Sequence, residues 1–198
     1  MDESPSLALD PPGAGLPAYE RWIVRPLFRV LRAVKSRQEF MAKFEEERQA
    51  ILTMVADLPP KSGKKPVLID RVQGMEDSSR YWSVYMTLDH LRIVNLSIAQ
   101  VIKILASGDE VIPVVSVADV KPDPSVGVEI VKAFRQSARL YQRALRDLPT
   151  LKTSRRHRHP WFGELDAAGW HALTALHLKI HRKQIERILA GLKTSAPL

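Results

Sequence analysis

The chain has 198 residues, of which 45% are hydrophobic, and this length suits one domain whose core needs no disulfide staples. It contains no cysteine, which excludes disulfide bonds, cysteine-ligated zinc or iron–sulfur sites and a thiol nucleophile. The net charge is +8, and because the first 16 residues hold three acidic and no basic side chains, the remainder carries +11. Nucleic acid and acidic membrane surfaces are therefore partners to weigh.

Residues 1–16 are rich in proline and glycine, which is typical of a flexible tail. They begin with acidic residues and lack a basic segment followed by an apolar one, so they are not expected to be a secretory signal. No apolar run approaches the ~20 residues of a membrane span, and we expect a cytoplasmic protein. A short C-terminal tail is predicted at residues 193–198.

Over residues 17–58 apolar side chains recur with a period close to that of a helix. Pro26 is expected to kink or restart this helix. Ser36 is expected to cap its second segment, because Glu39 lies three residues later and completes a capping box. Prolines and a glycine at 59–66 predict a clear break.

A second long helix is predicted to open at Asp77 or Ser78 and to end near Gly108. Residues 108–125 are punctuated by proline and glycine and include a Val/Ile stretch at 111–117. That stretch is compatible with a strand. We interpret it as an extended connector, because the chain offers no second alternating run for it to pair with.

Asp123 and Pro124 supply a cap and a first-turn proline for a third long helix. After a charged loop, Asp166 is a good N-cap for a last helix that closes at Gly191. Four long helices and no sustained strand pattern predict an all-α protein. The expected architecture is an up-down four-helix bundle over residues 17–192.

Two of the six histidines, His177 and His181, lie one turn apart on the same face of the last helix. Two imidazoles at this spacing can bind one metal ion. His90 lies on the apolar face of the second long helix, and a bundle brings such faces together. Three nitrogen ligands leave coordination positions for water or substrate, as catalytic metal sites do. The alternative is that each is a hydrogen-bonded histidine of the core.

The order of these pieces resembles the DinB-like superfamily, which includes YfiT-type metal-dependent hydrolases and thiol-dependent transferases. The shared pattern is a histidine on the second bundle helix, an HP-x-FG-x-L turn, and HxxxH followed by Gln-Ile on the last helix. The resemblance covers residues 18–191. It implies an up-down four-helix bundle whose three histidines hold a divalent metal, commonly zinc or nickel. The matching residues are His90, His159, Pro160, Phe162, Gly163, Leu165, His177, His181 and Gln184.

The resemblance further implies a metal-dependent enzyme, a hydrolase or a thiol-dependent transferase, that acts on a small molecule such as a low-molecular-weight thiol. The competing interpretation is a non-catalytic bundle in which the histidines stabilise the fold or bind a ligand. A homodimer is one expectation that the sequence leaves open. Of the acidic residues near the motifs, Glu164 is the better candidate for a general acid or base than Asp89. The alternative for Glu164 is a carboxylate on a surface loop.

The loop at residues 155–166 is expected to form the mouth of the metal pocket, with its arginines near the rim. Trp161 or Phe162 is expected to pack near Trp82 and Trp170, since large apolar side chains in a charged loop need burial. His157 is expected not to bind the metal.

Arginines at positions 21, 25, 29 and 32 interleave with apolar residues in the first helix. Such a helix can lie on an anionic membrane. We expect instead that its apolar face packs on the bundle while the arginines face water. No zinc-finger spacing, RNP pattern or helix-turn-helix is present, so no specific nucleic-acid partner is expected.

Overall fold

The computed structural model describes residues 8–108 and 118–194, which form six helices and two small antiparallel sheets. Single turns of 3-10 helix lie at Asp77–Ser79 and Ala118–Val120. The helices are α1 (Ala18–Val34), α2 (Arg37–Met54), α3 (Pro60–Lys64), α4 (Val84–Ser107), α5 (Glu129–Arg146) and α6 (Ala167–Thr194). The strands are β1 (Val67–Leu68), β2 (Tyr81–Trp82), β3 (His157–His159) and β4 (Gly163–Leu165), paired β1 with β2 and β3 with β4.

Helices α2, α4, α5 and α6 form a four-helix bundle. Over the described residues, α4 packs against α5 and α6, and α2 packs against the same two helices. The ring order is therefore α2, α5, α4, α6. In a simple up-down bundle consecutive helices are neighbours, so the observed connectivity differs from the predicted one. The connections α2 to α4 and α5 to α6 cross the ring, and each carries one of the small sheets.

The core of the bundle is built from the inward side chains of these helices. Phe44 of α2 stacks on Tyr141 of α5 with ring centroids 4.7 Å apart. Burial of each large apolar side chain contributes roughly 1.5–3 kcal/mol to folding. The other large side chains that are almost fully buried are Ile51, Tyr85, Leu88, Leu91, Ile102, Phe134, Leu145, Leu178, Ile185 and Ile188.

The predicted caps at two helix starts are confirmed. Ser36 Oγ accepts a hydrogen bond from the Glu39 amide at 3.2 Å, and Glu39 accepts one from the Ser36 amide at 2.8 Å. This capping box separates α1 from α2, whereas Pro26 lies inside α1. At α6, Asp166 Oδ1 accepts from the Gly169 amide at 2.8 Å, which satisfies one of the free amides of the first turn.

Two predicted helix starts are wrong by about a turn or more. Asp77 and Ser78 begin only a 3-10 turn, and α4 is capped by Ser83, whose Oγ accepts from the Met86 amide at 3.1 Å. Tyr81 and Trp82, which precede α4, form β2 and pair with β1 instead. The third long helix starts at Glu129, because the Asp123 side chain accepts from the Ser125 amide at 2.8 Å and so stabilises a local turn.

The predicted loop before α6 contains a hairpin. Strands β3 and β4 pair in the register His159 to Gly163, and Gly163 takes a φ of +74°, which only glycine adopts without strain. The last helix continues past Gly191 to Thr194. The Val/Ile stretch at 111–117 lies outside the described residues.

Part of the predicted flexible tail lies against the body of the protein. Leu16 is buried, and the amides of Gly13 and Gly15 donate to the Glu76 carboxylate at 3.2 and 3.1 Å. A flexible tail over residues 1–16 stays a prediction, and the structure adds these contacts at its end. Residues 1–7 and 195–198 lie outside the described part of the chain. Within the described part, no helix is both long enough and apolar enough to cross a bilayer.

Candidate metal centre

Three histidines meet where α4 packs against α6. His90 comes from α4, and His177 and His181 come from successive turns of α6. The Nε2 atom of His177 lies 3.1 Å from Nε2 of His90 and 3.0 Å from Nε2 of His181. His90 and His181 are buried, and His177 is partly buried. Helical periodicity placed all three on inward faces, and the fold brings them together.

The outer nitrogens of two of these rings are fixed by hydrogen bonds. His90 Nδ1 lies 2.6 Å from the Val120 carbonyl oxygen, which can only accept, so this nitrogen donates. His181 Nδ1 donates to Gln184 Oε1 at 2.6 Å, and the Gln184 amide in turn donates to the Ser79 carbonyl at 2.7 Å. Both rings therefore present an Nε2 lone pair to the centre of the cluster.

A carboxylate holds the segment that orients His90. Asp89 Oδ2 accepts from the Asp123 amide at 3.0 Å, and its other oxygen accepts from Arg92 Nε at 2.8 Å. The first of these bonds ties the chain just after Val120 to α4. Asp89 thus acts on the cluster through the backbone, and its side chain does not point at the three rings.

Burial keeps the cluster neutral. Desolvation lowers the pKa of His90 to about 4. It also lowers the pKa of His177 and of His181 well below the usual range, helped by the neighbouring imidazoles. Neutral imidazole is the form that ligates metals.

The spacing of the three nitrogens suits a divalent cation. Two imidazole nitrogens bound to one tetrahedral zinc ion at about 2.0–2.1 Å lie roughly 3.3–3.4 Å apart. The observed separations are 3.0 and 3.1 Å. Without a cation, the three Nε2 lone pairs repel one another, and one hydrogen on Nε2 of His177 relieves only part of this repulsion. The cluster could therefore hold a metal ion.

His177 differs from its partners in its outer nitrogen. Its Nδ1 is buried and has no hydrogen-bond partner among the described residues. Ligating histidines usually donate their second N–H to a carbonyl, a carboxylate or water. Of the three outer ring nitrogens, that of His177 is thus the one without a partner among the described residues.

An indole forms one wall of the cluster. The Trp82 ring lies parallel to His181, 7° apart in plane with centroids 6.2 Å apart, and 5.2 Å from His90. Trp82 is buried at the end of β2. This packing limits rotation of both imidazoles. The predicted helix start at Asp77 or Ser78 would have put Trp82 in a helix, whereas the ring reaches the cluster from a strand.

A cavity of about 220 Å³ borders all three histidines. Its walls come from α4, α6, α1 and the turn before β2, and the β3–β4 hairpin supplies residues 157–162. The expectation that this loop lines the pocket is supported by that placement, and Arg158 lies in the wall. Among its other lining side chains are Val94, Ser97, Ile98, Leu173 and Ile180.

The hairpin aromatics are placed differently from the expectation. Phe162 packs against Phe28 of α1 with ring centroids 4.7 Å apart, while the rings of His157 and His159 lie 5.7 and 5.3 Å from that of Trp170. His157 is not part of the three-histidine cluster. The cover of the cavity is therefore shared between the hairpin and α1, a helix that sequence reasoning left outside the site.

His159 is a cavity residue that the sequence indicated only through the resemblance. Its Nδ1 accepts from the amides of Trp161 and Phe162 at 3.1 and 3.4 Å, so a neutral ring carries its hydrogen on Nε2. Burial lowers its pKa to about 4. The ring is thus a neutral donor in the cavity wall.

Two carboxylates near the hairpin, those of Glu76 and Glu164, line different depressions. Glu164 is exposed on β4 and lines a separate depression together with Arg25, Arg29 and Arg156. It is not among the residues that line the histidine cavity. The carboxylate that does line it is Glu76, which is buried and accepts amides of the N-terminal segment. A role for Glu164 in acid–base chemistry stays a prediction.

His171 is a structural histidine. It lies 2.8 Å from the Tyr141 hydroxyl and 3.1 Å from the Arg37 carbonyl oxygen, away from the cluster. Burial lowers its pKa to about 4. His171 lies six residues before His177, about 240° round the helix at 100° per residue, so the two rings face different sides of α6.

Comparisons with known proteins identify the architecture. No protein-family model and no curated protein matches the chain. The chain is similar to the crystal structure of TT2238, described as a four-helix bundle protein. The two are 21% identical with a TM-score of 0.57, and the match covers 76% of this chain and 98% of that one. At this identity the likeness establishes the bundle fold.

Proposed function

We propose that the protein is a metal-dependent enzyme, a hydrolase or a thiol-dependent transferase, in which His90, His177 and His181 bind one divalent ion. The observation that carries the proposal is the convergence of three neutral Nε2 atoms on the wall of a cavity. A sealed and fully packed cluster would have favoured a purely structural role. The resemblance of the histidine motifs to the DinB-like superfamily supports the same class.

The donor set restricts the ion. Three imidazoles without a thiolate or carboxylate suit zinc or nickel. When bound, such an ion acts as a Lewis acid and lowers the pKa of a water or thiol ligand, which yields a nucleophile at neutral pH. Val120 and Gln184 hold two of the ligands in the required tautomer, and Trp82 restricts their rotation.

The cavity suits a small, largely apolar substrate with a polar end. A volume of about 220 Å³ is below the ~300–1,000 Å³ of typical ligand pockets. Most of its lining side chains are apolar. The Nε2–H of His159 can donate a hydrogen bond to an oxygen of the substrate, and Arg158 is placed to pair with a carboxylate. Low-molecular-weight thiols fall within this description.

Metal analysis of the purified chain tests the proposal. We expect about one zinc or nickel ion per chain, as one three-nitrogen site holds one ion. His177→Ala should lose most of the metal, whereas the matched variant His157→Ala should retain it. Full occupancy in His90→Ala, His177→Ala and His181→Ala alike would contradict the site.

Activity separates an enzyme from a binding module. The metal-loaded chain should hydrolyse small esters or amides, or should join an added thiol such as 2-mercaptoethanol to a small electrophile with release of its leaving group. A chelator should abolish turnover until metal is restored. A chain that binds metal stoichiometrically and turns over nothing would favour the non-catalytic interpretation. The cytoplasmic location and the homodimer remain sequence-based predictions.

A further inference from the structure

Helix α1 presents its apolar residues outward, opposite to the orientation expected from its sequence. Trp22 is 84% exposed, Val34 69% and Ile23 61%. Isolated exposed apolar residues are ordinary, but a contiguous set of this size marks an interaction surface. We call this set the α1 stripe; it comprises Tyr19, Trp22, Ile23, Leu27, Val30 and Val34, which span an arc of about 140° at 100° per residue.

Contacts on the opposite side fix this orientation. Phe28 is buried against the hairpin, and Arg25 Nε donates to the Trp161 carbonyl at 2.6 Å. Arg32 pairs with Asp166 at the start of α6. The buried Glu20 carboxylate accepts from the Gly74 amide at 3.1 Å and pairs with Arg71. Turning the α1 stripe toward the bundle would break all of these bonds and expose Phe28.

The charges beside the α1 stripe are mainly basic, since Arg25, Arg29 and Arg156 share a depression with one carboxylate, Glu164. Arg29 lies about 20° and Arg25 about 60° beyond Trp22, and both are exposed. The single acidic residue of α1, a helix that is described in full, is Glu20, which is buried and paired. An anionic surface can therefore approach this helix without meeting an exposed carboxylate on it.

We propose that α1 lies in the interface of an anionic lipid membrane, with the α1 stripe among the acyl chains and its arginines at the lipid phosphates. An exposed tryptophan in an apolar face bordered by arginines is the composition of an interfacial helix. A second copy of the chain fits less well, because pairing two α1 stripes brings the Arg29 side chains of both helices together, and α1 has no exposed carboxylate to neutralise them. This proposal is independent of the metal site.

Vesicle sedimentation of the full chain tests it. We compare vesicles of phosphatidylcholine alone with vesicles that also contain phosphatidylglycerol, at ~0.15 M and ~1 M salt. The chain should sediment with the anionic vesicles and much less with the neutral ones, and high salt should weaken binding. The Trp22→Ser/Ile23→Ser double variant should lose binding. Arg29→Gln should lower the partition coefficient about fivefold, at the usual contribution of one arginine near a charged surface.

Matched controls lie on α5, whose outer face also carries exposed arginines and a leucine. Leu140→Ser and Arg135→Gln make the same kinds of change, apolar to serine and arginine to glutamine, away from α1, and both should bind vesicles as the unmodified chain does. Circular dichroism and melting curves verify that each variant folds. The proposal is overturned if no vesicle binds the chain. It is also overturned if sedimentation shows a dimer that Trp22→Ser/Ile23→Ser dissociates, which would make a second copy the occupant of the α1 stripe.

Discussion

His181 and Gln184 are joined by a hydrogen bond of 2.6 Å from the imidazole Nδ1 to the amide Oε1, within one turn of α6. The Gln184 amide nitrogen is committed to the Ser79 carbonyl, so its oxygen faces the ring. A residue without metal-binding chemistry of its own therefore decides which nitrogen of His181 points to the centre of the cluster.

Gln184→Ala should weaken metal binding about 10–100-fold, the usual effect of removing the partner of a ligating histidine. The His181 ring is then free to rotate or to change tautomer. Competition with a chelator of known affinity measures the change. Gln136→Ala, which alters an exposed glutamine on α5, is the control and should bind metal as the unmodified chain does. Equal metal affinity in both variants would show that the bond does not orient the ligand.

Filling the cavity should separate ligand access from metal binding. Ser97 lines the cavity, whereas its neighbour Leu96 is exposed on the outer face of α4. Ser97→Trp should retain the metal and block access of small thiols, because an indole occupies a large part of about 220 Å³. Leu96→Trp adds the same ring outside the cavity. Spectra of the cobalt-substituted chains titrated with 2-mercaptoethanol report the result, and equal spectral changes in both would contradict the cavity as the access route.

His171 should make folding stability depend on pH. Its pKa is about 4 in the folded chain, because burial disfavours the charged ring, against about 6.5 when unfolded. The unfolded state therefore takes up a proton first as pH falls, and the stability from the neutral ring is lost between about pH 6.5 and 4. The loss is about 3 kcal/mol for this residue.

Urea unfolding of the unmodified chain and of His171→Gln at several pH values measures that loss. The variant should be less stable at pH 7, where two hydrogen bonds of the ring are altered, but its stability should fall less steeply toward acid. Both chains are measured with chelator present, so that metal release does not contribute to the difference. Parallel curves for the two proteins would assign the acid sensitivity to other groups.

Glu20 should anchor α1 to the body of the protein. The hydrogen bond from Arg71 is the main cause of the lowered pKa of this carboxyl, so its contribution to stability is present at neutral pH and lost as pH falls through that pKa. Glu20→Ala leaves Arg71 and the Gly74 amide without their acceptor, which should destabilise the attachment by roughly 1–3 kcal/mol. In the Glu20→Ala variant, limited proteolysis should cleave α1 faster than it cleaves the helices of the bundle. Glu46→Ala, at an exposed ion pair on α2, should leave the cleavage pattern unchanged.

The bundle and the histidine cluster could be predicted because both follow from helical periodicity. His90, His177 and His181 lie on apolar faces, and the burial of those faces brings the rings together. The starts of α4 and α5 could not be predicted so well. As N-cap residues, Asp77 and Asp123 are as good as Ser83. Tertiary contacts decide where each helix begins.

Other features depend on information that a periodic pattern does not hold. The β3 segment reads His-Arg-His, without β-branched residues, and its pairing depends on the left-handed turn at Gly163. The orientation of α1 depends on the buried pair of Glu20 and Arg71, which are 51 residues apart. Periodicity shows that α1 has an apolar face. It does not show that the opposite face is the one that packs against the rest of the protein.

The ring order of the helices has a consequence for biosynthesis. His90 and His177 are 87 residues apart, and α6 is a ring neighbour of both α2 and α4. Chains are synthesised from the N-terminus, so α2, α4 and α5 are complete before α6 exists, and the groove between α2 and α4 stays open until the last helix arrives. Contacts of such long sequence separation form slowly. A nascent chain therefore holds only one of the three histidines until α6 is synthesised, which protects it from capturing a metal before the bundle can close.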